Sequence, residues 1–125
     1  MMIFRFLLIL ILVGCASKDI VRRDFSTPEA TFETWKGAAK KLDLKLLIDS
    51  YALSARPSME SELARTTEEA LQSMKKETQK TQFVIEKVVF EDNLAYLRIR
   101  RTLQKNESIE VVTMIKEGDS WKLLP

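Results

Sequence analysis

Near residue 81 the apolar side chains of this chain change their period. Before it they return every three or four positions; after it they alternate. Helical spacing in one half and strand spacing in the other predicts an α+β fold, with helices packed on one face of an antiparallel sheet. A length of 125 residues is room for one such domain.

The helical half opens on Phe25-Ser26-Thr27-Pro28-Glu29. Thr27 is a suitable N-cap with Pro28 at the first helical position; Ser26 with Glu29 is the alternative capping box. Phe32, Trp35, Ala39 and Leu42 follow at helical spacing. Asp43 restarts the pattern as a cap, and Leu44, Leu47, Ile48 and Tyr51 form a second short stripe. Pro57 disfavours helix at Arg56 and marks a break. A third helix is expected from Ser58 to about Lys80, with a thin apolar face and the basic cluster Lys75, Lys76 and Lys80 near its end.

The second half reads as four strands at 82–90, 94–103, 108–116 and 121–124, joined closely enough for a meander of hairpins. Setting Ile99 opposite both Ile85 and Val111 aligns one apolar face: Phe83, Ile85, Val89, Ala95, Leu97, Ile99, Leu103, Ile109, Val111 and Ile115. It also sets Glu86 opposite Arg98 and Arg100 opposite Glu110, pairs that stabilise a sheet. The other face is mixed. Its apolar members Val84, Val88, Phe90, Tyr96, Val112 and Met114 make it a candidate interaction surface, the alternative being coverage by the chain itself.

Residues 1–15 are an address rather than part of the fold. Arg5 precedes an unbroken apolar run at 6–13, and Gly14-Cys15 ends it. The run is shorter than the roughly 20 apolar residues that a bilayer-spanning helix needs. Leu12-Val13-Gly14-Cys15 resembles the lipobox of bacterial lipoproteins. That resemblance implies cleavage before Cys15, diacylglycerol on its thiol and acylation of the new amine; a free or buried thiol is the alternative. Ala16 after the Cys implies, on the same resemblance, the outer membrane where the organism has one. The expected division is a signal peptide at 1–14, lipidated Cys15 with a tether at 15–24, and one α+β domain at 25–125.

The chemistry open to the chain is narrow. It has no His and one Cys, which excludes His-based acid–base catalysis, His-ligated metals, Cys–His nucleophiles and internal disulfides. Twenty basic and eighteen acidic residues leave a net charge of +2, with no field to argue for nucleic acid. No phosphate-cradling glycine loop, nucleophile elbow or Asp-rich calcium loop is present. No cofactor or metal is expected.

Helices followed by a meander ending in Glu117-Gly118-Asp119-Ser120-Trp121-Lys122, together with Thr27-Pro28-Glu29 through Trp35 and the 39–47 stretch around Asp43, resemble the nuclear transport factor 2-like superfamily. The resemblance implies a cone-shaped domain with a pocket at its mouth and a free sheet face that often makes a dimer. Its enzymes place an acid or His in the cone. Asp43, Asp49, Tyr51 and Arg101 are therefore the candidate pocket residues. Each also has a structural reading: a cap, a solvated carboxylate, a core ring and a snorkelling arginine. The expectation is an envelope lipoprotein held to the membrane through Cys15. It acts as a non-catalytic binding module through its sheet face, on a second copy or another envelope protein; a ligand-binding or isomerase- or hydrolase-like cone is the alternative.

Overall fold

The computed structural model describes residues 21–125; the leader, Cys15 and Ala16 lie outside the described residues. Helix α1 (Pro28–Lys41) starts as expected. The Thr27 hydroxyl accepts from Ala30 N at 3.0 Å, and Pro28 sits where no donor is needed. It stops at Leu42, which adopts a left-handed φ of 55° and lets Asp43 N–H reach the Ala38 carbonyl at 2.9 Å. Asp43 then caps α2 (Leu44–Asp49), its carboxylate accepting from Leu46 N.

Two expectations for the next stretch are corrected. The break before the third helix is present but ends earlier than expected: after a 3-10 turn (Leu53–Ala55), Arg56 is already helical, and α3 (Arg56–Arg65) carries Pro57 in its first turn, where its missing N–H costs nothing. The single helix expected to run to Lys80 is two. Thr66 and Thr67 turn extended, and the Thr67 hydroxyl caps α4 (Glu68–Lys80) by accepting from Ala70 N. Two consecutive β-branched hydroxyl residues offer the backbone a cap in place of a continued helix.

Strands β1 (Gln82–Glu91), β2 (Leu94–Leu103), β3 (Asn106–Glu117) and β4 (Ser120–Leu124) form an antiparallel meander in that order. All three hairpins close through two residues, the first of them left-handed: Asp92 (φ 56°), Gln104 (58°) and Gly118 (62°). Ile85 pairs with Ile99, as the alternation requires. Beyond it Glu86 is an extra residue, so Lys87 pairs with Arg98 and Val88 with Leu97. This bulge brings Val88 inward and turns Val89 out.

The β2–β3 pairing also differs from expectation. The tight turn at Gln104-Lys105 sets Leu103 opposite Asn106, so Ile99 faces Glu110, not Val111, and Leu97 faces Val112. A one-residue slip exchanges the faces of a strand. Val112 and Met114 accordingly belong to the core side, and Met114 is wholly buried; Ile109, Val111 and Ile115 point the other way. Arg100 meets Ile109, while Glu86 ion-pairs with both Arg98 and Arg100.

The helices lie on the inner sheet face. Phe32 of α1 joins Ala95, Leu97, Ile99, Met114, Trp121 and Leu123 in the main core. Ala38 and Ala39 meet Leu46 and Leu47 in a second cluster that also takes in Val21 and Phe25. The free edge of β4 is covered. Trp121 N–H donates to the Phe25 carbonyl, Leu123 N–H to Ser50, and the Leu123 carbonyl accepts from Ala52, each at 2.8 Å.

Residues 21–25 are strapped onto α1. The Thr34 hydroxyl accepts from Asp24 N–H and faces the carbonyls of Arg22 and Asp24 at 3.1 and 2.8 Å. Arg23 pairs with Asp49 at 2.6 Å. Phe25 lies between Arg23 and the Lys122 ammonium, which sits 3.7 Å from the ring centroid. Val21 fits against Gly37, where a Cβ would stand 3.0 Å from its methyl. Among the described residues no helix is long and apolar enough to cross a membrane.

Candidate functional site

Between α1, α4 and the inner face of the sheet lies a cleft of about 650 Å³. Its floor is aromatic. Phe83 on β1 meets Phe32 edge-on at 5.6 Å and Trp35 edge-on at 6.3 Å. One wall is α4, which presents Ala70, Ser73 and Glu77 on one side at helical spacing. The small side chains at the first two positions leave the cleft open. Opposite stands Arg101 of β2, its guanidinium 5.5 Å over the Phe83 ring.

Arg101 lies between two carboxylates, Glu77 at 3.9 Å and Glu110 at 3.7 Å. Both separations are too long for hydrogen bonds, and the three side chains are 37–56% exposed, so these pairs add little stability. Their effect is to hold a planar cation above an aromatic ring with its donors unsaturated. The cleft brings together one cation, two anions and a π-face. Among the described residues no three His, Cys, Asp or Glu side chains cluster as a metal site.

Of the four candidate pocket residues, Arg101 alone lines this cleft. Asp43 stays at the α2 cap. Asp49 faces the strap, and the Arg23 hydrogen bond holds its carboxyl below the usual range. Tyr51 packs against the main core and bridges to Leu123 of β4. Burial pushes its hydroxyl up, opposed by a hydrogen bond from the Trp35 indole. The two flanking carboxylates escape the sequence reading for separate reasons. Glu110 turns inward only in the tighter β3 register; Glu77 shows itself only through the small residues four and seven positions before it.

Among the described residues no helix lies over the outer sheet face. Val84 is 42% exposed, Val89 44%, Ile109 45% and Val111 63%. Tyr96 stands among them opposite Val89, its hydroxyl 3.4 Å from Glu91. Of the expected interaction residues Val84 and Tyr96 are on this face. Val88, Phe90, Val112 and Met114 are not, owing to the β1 bulge and the β3 register.

The sequence matches no protein-family profile and no curated protein. Three solved structures share the fold. A Campylobacter jejuni protein, provisionally described as an NTF2-like transpeptidase, superposes with a TM-score of 0.58 at 16% identity, over 80% of this chain and 99% of that one. A SEC-C motif containing protein from Rhodopseudomonas palustris gives 0.54 at 9% identity, over 80% and 77%. Another from Psychrobacter arcticus gives 0.55 at 12%; there the chain spans 84% of its own length but 61% of its counterpart's. Identities this low speak to architecture alone: over the described residues the chain shares with these proteins an α+β fold, here four helices on a four-stranded antiparallel meander.

Proposed function

We propose that this is a lipid-anchored protein of the bacterial cell envelope, joined to the membrane through Cys15, on the outer membrane in a Gram-negative cell. It acts by non-catalytic binding. The observation that carries the binding role is the outer sheet face, where Val84, Val89, Ile109 and Val111 are exposed together while the helices serve the other side. Exposed apolar side chains gathered on one face mark a contact surface more often than a solvated one. The occupant is a second copy or another envelope protein. Val111→Glu places a carboxylate in that face without touching the core and abolishes association seen by light scattering. A wild-type chain that stays monomeric and recovers no envelope partner overturns this role. The anchor has its own test: Cys15→Ser blocks incorporation of radiolabelled palmitate, and unchanged incorporation refutes it.

The cleft supports a second reading, a small-ligand site in place of a protein contact. Its support is the placement of Arg101 over Phe83 between Glu77 and Glu110. Arg101→Ala then removes binding of a ligand found by thermal-shift screening, while leaving association through the outer face unchanged.

A further inference from the structure

The strap fixes where the chain leaves the folded domain. Running back from Phe25, it follows α1 toward that helix's C-terminal end, and Val21 lies beside Gly37, with Lys40, Lys41, Asp43 and Lys45 around it. The C-terminal end of α4 comes to the same place, because the Gln79 amide donates to the Lys40 carbonyl at 2.9 Å. Two helix ends rich in lysine therefore meet at the exit point. Arg22, Lys40, Lys41 and Lys45 line the surface around Val21, and Lys80 follows Gln79 at the adjoining end of α4. The acids of this end are engaged locally. Glu33 pairs with Lys36, Glu77 lies against Arg101, Asp24 accepts from Ser26, and Asp43 caps α2. Glu60, Glu62, Glu68 and Glu69 fall instead on α3 and the start of α4.

We propose that this basic end is a docking surface for anionic phospholipid headgroups, and that the strap aims it at the bilayer. The proposal rests on lipidation of Cys15. Six residue steps separate Cys15 from Val21, a reach of at most about 22 Å. With the exit held beside Gly37, the surface nearest the membrane is the one that carries the lysines. Basic side chains within a Debye length of an anionic leaflet are attracted to it individually. The acyl groups supply residence at the membrane and the lysines supply orientation. The outer sheet face and the cleft are then left at fixed angles to the bilayer.

The test uses the full lipidated chain, its acyl groups verified by mass, on vesicles of phosphatidylcholine alone or mixed with phosphatidylglycerol. A water-soluble amine-acylating reagent reports each lysine. Lys40, Lys45 and Lys80 become several-fold less reactive on the phosphatidylglycerol vesicles and recover in high salt; Lys87 and Lys116 on the sheet do not change. Lys40→Glu with Lys80→Glu abolishes the protection of Lys45 while the circular dichroism spectrum stays that of the wild type. Equal reactivity of both groups of lysines on anionic vesicles overturns the docking surface while leaving the anchor standing. Protection that persists on phosphatidylcholine alone overturns it too, since the contact is then not electrostatic. A purified chain whose mass lacks the acyl groups overturns the anchor, and this proposal with it.

Discussion

The Thr34 hydroxyl has one proton and two lone pairs, and the strap uses both capacities. It accepts from Asp24 N–H and donates to the carbonyls before it, in a position 2% exposed. Thr34→Val keeps the shape and removes the polar atom, leaving strap groups without partners. The expected loss is about 1–3 kcal/mol in urea denaturation, and Thr34→Ser restores most of it. Lys122 is a different kind of buried polar residue. Its ammonium donates to the Asp49 carbonyl at 2.6 Å and faces the Phe25 ring, while burial lowers its pKa. A lysine that is harder to protonate when folded opposes folding while it is charged. Stability therefore rises as pH climbs from the lowered folded value through the ordinary 10.5. Lys122→Met removes that rise, seen as a flatter dependence of melting temperature on alkaline pH.

At the scale of elements, the strap and β3 show what sequence patterns carry and what they leave open. The first two helix starts were legible because Thr27 and Asp43 are good caps, and the Ile85–Ile99 register because Ile99 alternates with Arg98 and Arg100 on β2. The β3 register was not, because Ile109 and Val111 alternate with Val112 and Met114, so both faces offer apolar rows and polarity does not choose. The two-residue turn at Gln104 does, and Gln is not a residue that announces a left-handed position. The cleft inherits this: Arg101 was legible as an inward charge, while Glu110 depends on the register. The strap was hidden for another reason. Residues 21–24 carry three charges and a single Val, and polarity alone reads as linker. Their attachment depends on Gly37, which leaves room for Val21. Gly37→Leu therefore displaces the strap in spite of its better helix propensity, and limited proteolysis then cuts near Arg22 and Arg23. Acid does the same in part. The Asp49 carboxyl is held below its ordinary 3.8 by Arg23, so its contribution is complete above that value and lost as pH falls through the lowered one. Asp49→Asn lacks this acid-dependent step in an otherwise similar unfolding profile.

For the whole molecule, the proposed contact role would divide association on one sheet face from stability on the other, and the division is testable because neighbouring residues in β3 fall on opposite sides. Val112 is packed against the main core and Val111 is 63% exposed one residue away. Val112→Glu places a carboxylate against the main core, costs several kcal/mol and brings the chain toward unfolding at moderate temperature. Val111→Glu lies in water beside Arg98, its cross-strand partner, so its stability stays within about 0.5 kcal/mol of wild type. If the outer face is the contact surface, Val111→Glu nevertheless loses association completely, because it sets a charge among Val84, Val89 and Ile109. The pair separates two effects that either substitution alone confuses. A loss of association from Val112→Glu reports unfolding. The same loss from Val111→Glu, at an unchanged melting temperature, reports the surface itself. An association constant that Val111→Glu leaves untouched would move the binding role from this face to the cleft at Arg101, where Arg101→Ala is the variant that must then lose ligand.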